Sequence, residues 1–349
     1  MTKPSLRKGV ILAAGYGTRM AALTQVVPKP LLPIVNVPTL ERILLAFRSA
    51  GISEALIITG YRADAVEAYC GSGSQWGMTV VYEPQTAVSG TGSATAMARE
   101  FAGNDPFMLT YGDILLNAKE YQAVADLFGD ARCGAASALN RLDDVSAGSA
   151  NYLKGNRIVQ IIEKPPAGTS STNLNSAGVF AFSPEIFDAI GRTPVSIRGE
   201  YELTEAVQTL ISDGLDVRGH AIAGVQHDIG TPEAYVATNS ALIDCFGSVR
   251  SGETSADNFA APGVDLKSPV AIAAQCEIER SHLGPNVCIG EGARIGHSVS
   301  IQNSVIMPGA DIGDGASVSY AIVGRNACVS NRARLHGSAN AVLVVGDNA

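Results

Sequence analysis

Two hydrophobic rhythms divide the chain. Up to about residue 246, short apolar runs alternate with segments of helical spacing. Residues 9–14 are apolar and are expected as a strand. Residues 39–50 put Leu40, Ile43, Leu44 and Phe47 on one helical face. An apolar run at 55–59 precedes a helical segment at 63–69. A strand follows at 78–82, a helix at 93–101 and a strand at 106–111, which leads into Gly112-Asp113. Residues 237–246 read as a helix. Repeated strand–helix–strand order predicts a Rossmann-like α/β domain over residues 1–246, with a mainly parallel mixed sheet. Ligands of such sheets gather beyond the carboxyl ends of the strands, so the loops there are where chemistry is sought.

Residues 247–264 are rich in Gly, Ser, Ala, Asp and Pro and read as a linker. From 265 to 340 the rhythm changes. Aliphatic residues fall at Ile272, Ile278, Leu283, Ile289, Ile295, Ile301, Ile306, Ile312, Val318, Val323, Val329 and Leu335, in steps of six with an occasional five. Small or aliphatic residues often stand two positions earlier, as at Val287, Ala293, Ala310, Ala316 and Ala327. This period is neither helical nor simple alternation. It fits a triangular coil with one short strand and one corner per six residues, each aliphatic side chain pointing to the axis. The pattern resembles the hexapeptide repeat of left-handed parallel β-helices. A coil of this kind leaves its ends open and commonly serves as a packing or oligomerisation surface, so a homo-oligomer (dimer, trimer or tetramer) is expected. Residues 341–349 form a tail.

Composition narrows the function classes. The 349 residues carry a formal net charge of −8 with no basic block, which excludes a sequence-independent nucleic-acid binder. Apolar residues make up 46 %, enough for a large core, yet no run is long enough to span a membrane. The apolar run near the N-terminus is too short for a secretory signal. Six scattered cysteines without a CxxC pair predict reduced thiols and a cytoplasmic location.

The first chemistry-bearing segment follows the first strand: Leu12-Ala13-Ala14-Gly15-Tyr16-Gly17-Thr18-Arg19. Two glycines one residue apart let backbone N–H groups approach a phosphate, and Arg19 adds a cation. Gly-Xaa-Gly by itself is equally the mark of an ordinary turn. Lys29 follows in Pro28-Lys29-Pro30, where the prolines hold the chain extended around one lysine. Taken together, the two motifs resemble the LAAGxGTR…PKP signature of sugar-1-phosphate nucleotidylyltransferases, the NDP-sugar pyrophosphorylases.

The resemblance covers residues 8–245 and implies a set of roles. Arg19, Lys29 and Lys164 would be catalytic cations. Leu12, Ala13, Ala14, Gly15, Gly17, Thr18, Gly112 and Asp113 would hold the nucleotide. Asp113 and Asp228 would bind Mg²⁺; Asp228 lies in His227-Asp228-Ile229-Gly230, where the family usually has Trp before the acid. Gly148, Glu163, Lys164, Asn175 and Ser176 would bind the sugar, Glu163 through its hydroxyls and Lys164 at its phosphate. Aligning on Gly178 puts Ser176, not Asn175, at the family's usual Asn position. Gly199-Glu200-Tyr201-Glu202-Leu203-Thr204 resembles another family segment, whose acids either bind sugar or start a helix. Gln85, with Gly90-Thr91-Gly92 five residues on, matches the QxxxxGTG pattern of uridylyl- and thymidylyltransferases. One amide supplies both a donor and an acceptor for a pyrimidine imide edge.

The implied reaction is transfer of a nucleotidyl group from an NTP, UTP or dTTP favoured, to a sugar-1-phosphate with release of pyrophosphate. GTP or another NTP with a different sugar-1-phosphate is an alternative. A hexapeptide-repeat acyltransferase is a second class, although none of His282, His297 and His336 stands isolated as a base. A non-catalytic regulatory paralogue is a third, against which the retained Arg19, Lys29, Asp113, Lys164 and Asp228 argue.

Overall fold

The computed structural model describes residues 6–87, 89–129, 133–246, 254–255 and 262–349. Most of the linker expected at 247–264 lies outside the described residues. The chain forms two compact units. One joins the segment up to Tyr16 with Leu40–Gln226; the other joins Gly17–Thr39 with His227–Ala349.

A nine-stranded mixed sheet organises the first unit. In chain order its strands are β1 (Lys8–Leu12), β2 (Glu54–Thr59), β3 (Thr79–Pro84), β4 (Phe107–Tyr111), β5 (Cys133–Arg141), β6 (Ser149–Lys154), β7 (Arg157–Glu163), β8 (Leu174–Phe182) and β9 (Asp216–Ala221). Their spatial order is β3-β2-β1-β4-β8-β5-β9-β7-β6. The run β3-β2-β1-β4 is parallel, as is the β5–β9 pair. The remaining neighbours are antiparallel.

Strands β1, β2 and β4 carry near-continuous apolar runs because both faces are covered, whereas the edge strand β3 is largely exposed. Val10, Leu56, Ile58, Phe107 and Leu109 pack in one core with Ile186, Phe187 and Ile190 of helix Glu185–Arg192 and with Leu203, Val207 and Leu210 of helix Leu203–Ser212. Leu40, Ile43, Leu44 and Phe47 of helix Thr39–Ser49 are fully buried, as their spacing predicts. One expected helix is broken: residues 93–101 resolve into Thr91–Ala96 and Arg99–Ala102. The Thr95 hydroxyl donates back to the Thr91 carbonyl at 2.8 Å. Such back-bonding bends helices, and the chain turns at Ala98.

The second unit contains a three-sided parallel β-helix. Its walls are stacks of short strands running from Val270–Ile272 to Leu343–Val345, from Asp265–Leu266 to Arg334–His336, and from Glu277–Ile278 to Cys328–Val329. Most equivalent strands pair in parallel 17 residues apart, as Val270 with Val287 and Val287 with Ser304, with 18 between Leu283 and Ile301 and 22 between Ala321 and Leu343. Ten of the twelve repeat positions, from Ile272 to Val329 apart from Ile278, lie in one buried axial cluster; Ile278 and Leu335 pack against it half-buried.

Outward residues differ between the walls. Two walls are polar, with Arg294 paired to Glu277 at 3.1 Å and His282 to Asp265 at 3.0 Å. The third presents Ala271, Cys288, Val305 and Ile322, all buried although they point away from the axis. Helix Pro232–Phe246 packs along this wall at Val287–Ile289, Ser304–Ile306 and Ala321–Val323. That helix begins five residues before the expected 237, with Pro232 at its first position, where the missing N–H costs nothing.

Ile301→Ala should therefore lower stability by about 2–5 kcal/mol through the axial cavity. Gln302→Ala, on an exposed position of the same strand, should stay within about 0.5 kcal/mol. Urea unfolding midpoints of the two variants check this.

Candidate active site

In the first unit, the register of the sheet places Leu12 beside both Ile58 and Tyr111. Segments 12–15 and 112–113 therefore leave neighbouring strand ends together. The Gly112 N–H donates to the Leu12 carbonyl at 2.8 Å. A Cβ at Gly112 would lie 3.1 Å from that oxygen and 3.2 Å from the Ala13 Cβ. Glycine is what lets the turn carrying Asp113 close onto residues 12–14. Gly15 is different: a side chain there would meet no protein atom within 4 Å, so packing does not explain its glycine.

Gln85 follows β3 and is buried, its N–H donating to the Thr59 carbonyl at 2.7 Å. Gly90, at φ +111°, and Gly92 bring the backbone against Tyr201. The Gly92 N–H donates to the Tyr201 carbonyl at 2.7 Å, and the Thr91 hydroxyl accepts from the Leu203 N–H at 3.1 Å. The Gly90-Thr91-Gly92 segment thus docks the Glu200–Thr204 region to this end of the sheet.

Glu163 ends β7, and the Thr204 hydroxyl donates to it at 2.6 Å. Burial pushes its carboxyl up, with Glu202 adding to the shift and Thr204 and Arg198 opposing it. Arg198 lies 3.6 Å from Glu163 and 3.8 Å from Glu200, and it also pairs with Glu202. Sequence reading passed over Arg198. Its signal was its place directly before the Gly199-Glu200 motif. Tyr111 is half-buried, and burial pushes its phenol up, with Glu163, Asp113 and Glu202 adding to the shift and Thr91 opposing it.

Lys164 is exposed at φ +41°, a left-handed conformation costing about 1 kcal/mol for a residue with a side chain. Its N–H donates to the Gly148 carbonyl at 2.7 Å. Asn175 lies against Gly148, where a Cβ would come within 2.1 Å of the Asn175 Oδ1. That oxygen accepts from the Ser149 N–H at 2.8 Å. The Asn175 amide donates to Asn140 Oδ1 and to the Ser176 carbonyl, both at 2.9 Å. Both amide hydrogens of Asn175 are committed to the protein. Ser176, half-buried, places its hydroxyl 3.1 Å from Ser149 and 3.3 Å from the Asn151 amide.

In the second unit, three candidate residues from distant parts of the chain converge. The Lys29 ammonium is 3.8 Å from an Asp228 carboxylate oxygen, its side chain 10 % exposed against 55 % for the acid. The Arg19 guanidinium reaches Gly230, where a Cβ would lie 3.0 Å from Nη2 and 3.0 Å from Asp228 Oδ1. Gly17, at φ +64°, turns the chain over Lys29 and Thr24. Burial pushes the His227 imidazole down. Among the described residues no three His, Cys, Asp or Glu side chains cluster as a metal cage. Asp113 and Asp228 lie in different units, and each carboxylate offers the oxygen ligands that Mg²⁺ takes.

The nucleotidyl transferase family model matches residues 8–244, about two thirds of the chain. The chain belongs to the nucleotidyl transferase family. Residues 266–349 match the GMPPB C-terminal domain. A glucose-1-phosphate thymidylyltransferase of Streptomyces griseus is 33 % identical over 293 residues, 83 % of this chain and 80 % of that protein. A UTP–glucose-1-phosphate uridylyltransferase of Staphylococcus saprophyticus is 28 % identical over 67 % of this chain and 91 % of its own length. A solved Bacillus anthracis chain, described as a glucose-1-phosphate thymidylyltransferase in complex with a sucrose, superimposes with a TM-score of 0.61 at 26 % identity. It covers 67 % of this chain and 94 % of that one. Within the family, the chain is a sugar-1-phosphate nucleotidyltransferase.

The position of Glu163 gives a pH prediction. Its folded pKa is raised, so protonation favours the folded state fully at acid pH, and that advantage is lost as pH rises through the raised value. Glu163→Gln removes the ionisation. Its melting temperature relative to wild type should rise from about pH 4 to about pH 8. A difference constant across that range in thermal melts would contradict the assignment.

Proposed function

We propose that the enzyme transfers a uridylyl or thymidylyl group from UTP or dTTP to a sugar-1-phosphate, releasing pyrophosphate. The observation that carries the reading is the convergence of Arg19, Lys29 and Asp228 around Gly230. Two cations and a carboxylate, drawn from segments about two hundred residues apart, suit a reaction between two anions. A phosphate oxygen of the sugar-1-phosphate attacks the α-phosphorus, a new P–O bond forms, and the bond to pyrophosphate breaks. No protein nucleophile is required.

In this reading Arg19 and the N–H groups of residues 15–18 neutralise the outer phosphates, and the open surroundings of Gly15 leave room for their approach. Lys29 stands at the α-phosphate and leaving group. Lys164 and Arg198 screen the sugar phosphate, while Glu163 and Ser176 take sugar hydroxyls. Asn175 holds Gly148 in place. Asp113 and Asp228 would hold Mg²⁺, whose charge would offset that of the phosphates. Gln85 and the pyrimidine chemistry of the two relatives support UTP or dTTP over a purine. The proposal retains a cytoplasmic homo-oligomer. Among the described residues no helix is long and apolar enough to cross a membrane.

The test is pyrophosphate release across five NTPs and several sugar-1-phosphates, with and without Mg²⁺. Mg²⁺-dependent release with UTP or dTTP is expected. Arg19→Ala and Asp113→Asn should each lower kcat by about 10²-fold or more. Release with GTP alone would overturn the role given to Gln85, and near-normal kcat in both variants would overturn the site.

A further inference from the structure

The segment Gly17–Thr39 carries both Arg19 and Lys29, and its own secondary structure is slight. It holds two 3₁₀ turns, one helix of four residues and a two-residue hairpin, Pro33–Ile34 with Val37–Pro38. So little regular structure cannot by itself hold a buried lysine in one place. The hairpin turn is moreover unfavourable. Val35 sits at φ +46° and Asn36 at φ +61°. A β-branched residue in the left-handed region persists only where its surroundings impose it, at a cost of about 1–3 kcal/mol.

The surroundings that impose it come from helix Pro232–Phe246. Asn239, 2 % exposed, accepts the Val35 N–H at 2.7 Å through Oδ1. Its amide donates to the Tyr235 carbonyl at 3.0 Å, which fixes the orientation of the side chain. Tyr235 is fully buried, and its hydroxyl donates to the Pro33 carbonyl. The same hydroxyl lies 3.8 Å from Met307 Sδ, on the β-helix wall that this helix covers. On the other side of the hairpin, the Thr39 N–H and hydroxyl close onto the Leu32 carbonyl at 3.2 and 3.0 Å. The strained turn is thus gripped at Pro33 and Val35 by two side chains whose footing is the β-helix.

We propose that Tyr235 and Asn239 are positioning residues: they clamp the Lys29-bearing hairpin onto the helix and β-helix wall, so that the β-helix fixes the catalytic lysine. The catalytic part of this proposal rests on the role given to Lys29 above; the clamp itself does not. The β-helix then contributes to turnover without contributing a reacting group. Reactants misplaced by about 1 Å can lose about 10²-fold in rate, so a loosened hairpin should lower kcat more than it alters binding.

The test uses the full chain with Tyr235→Phe, which removes one oxygen, and Asn239→Leu, which removes the acceptor at similar size. Amide hydrogen exchange and pyrophosphate-release kinetics are read on both. Exchange in peptides covering residues 31–38 should rise about tenfold, while peptides covering 287–323 stay protected. The kcat should fall about tenfold or more, with KM for both substrates within about twofold. A general loss of structure would instead raise exchange throughout 287–323. Unchanged exchange at 31–38 in both variants, or a rise in KM at constant kcat, would overturn the proposal. If wild-type protein released no pyrophosphate with any substrate pair, the proposed function would fall, and exchange at 31–38 would still decide whether the clamp exists.

Discussion

Lys29 carries its charge on a side chain only 10 % exposed to solvent. Withdrawing an ammonium group from water costs several kcal/mol unless a counter-charge and a fixed geometry offset it. Much of the second unit answers that requirement. Asp228 supplies the counter-charge at 3.8 Å. Pro28 and Pro30 restrict the backbone on either side, and Tyr235 and Asn239 grip the hairpin that follows. Asp228 stays half exposed to solvent, while the lysine is buried beside it.

The first unit solves a different problem, the gathering of backbone and carboxylates at one end of a sheet. Parallel register brings Leu12 and Tyr111 level. Gly112 then allows the two following turns to touch, and Gly90 and Gly92 let a remote segment lie against the same end. Each of these glycines stands where a Cβ would strike a backbone atom. Gly15 does not: a side chain there would meet no protein atom within 4 Å. Around this end burial pushes the carboxyl of Glu163 up, and the Arg198 guanidinium 3.6 Å away opposes that shift.

The β-helix shows how one repeat can yield three unlike walls. Inward positions are uniformly aliphatic because the axis excludes water. Outward positions follow what covers them: ion pairs where solvent does, and Cys288, Val305 and Ile322 where helix Pro232–Phe246 does. That apolar wall is the foundation on which Tyr235 stands.

Local chemistry made much of this legible in advance. The six-residue period determined the β-helix and its inward residues, since only one face of each short strand can reach the axis. Helical spacing determined the buried face of residues 39–50. The glycine, proline and charged motifs singled out Arg19, Lys29 and Asp113, and the family resemblance singled out Glu163. What sequence did not determine depends on contacts between residues far apart. The acidic partners of Arg198 became visible only when β7 and the Glu200–Thr204 region met. Asn175 proved to be tied to Ser149 and Asn140 across strands. Tyr235 and Asn239 look like ordinary helical residues, and only the packing of Gly17–Thr39 against that helix turns them into a clamp. Periodicity and motif are properties of a short stretch and survive in the linear chain; the partner of a buried polar group is set by the fold alone.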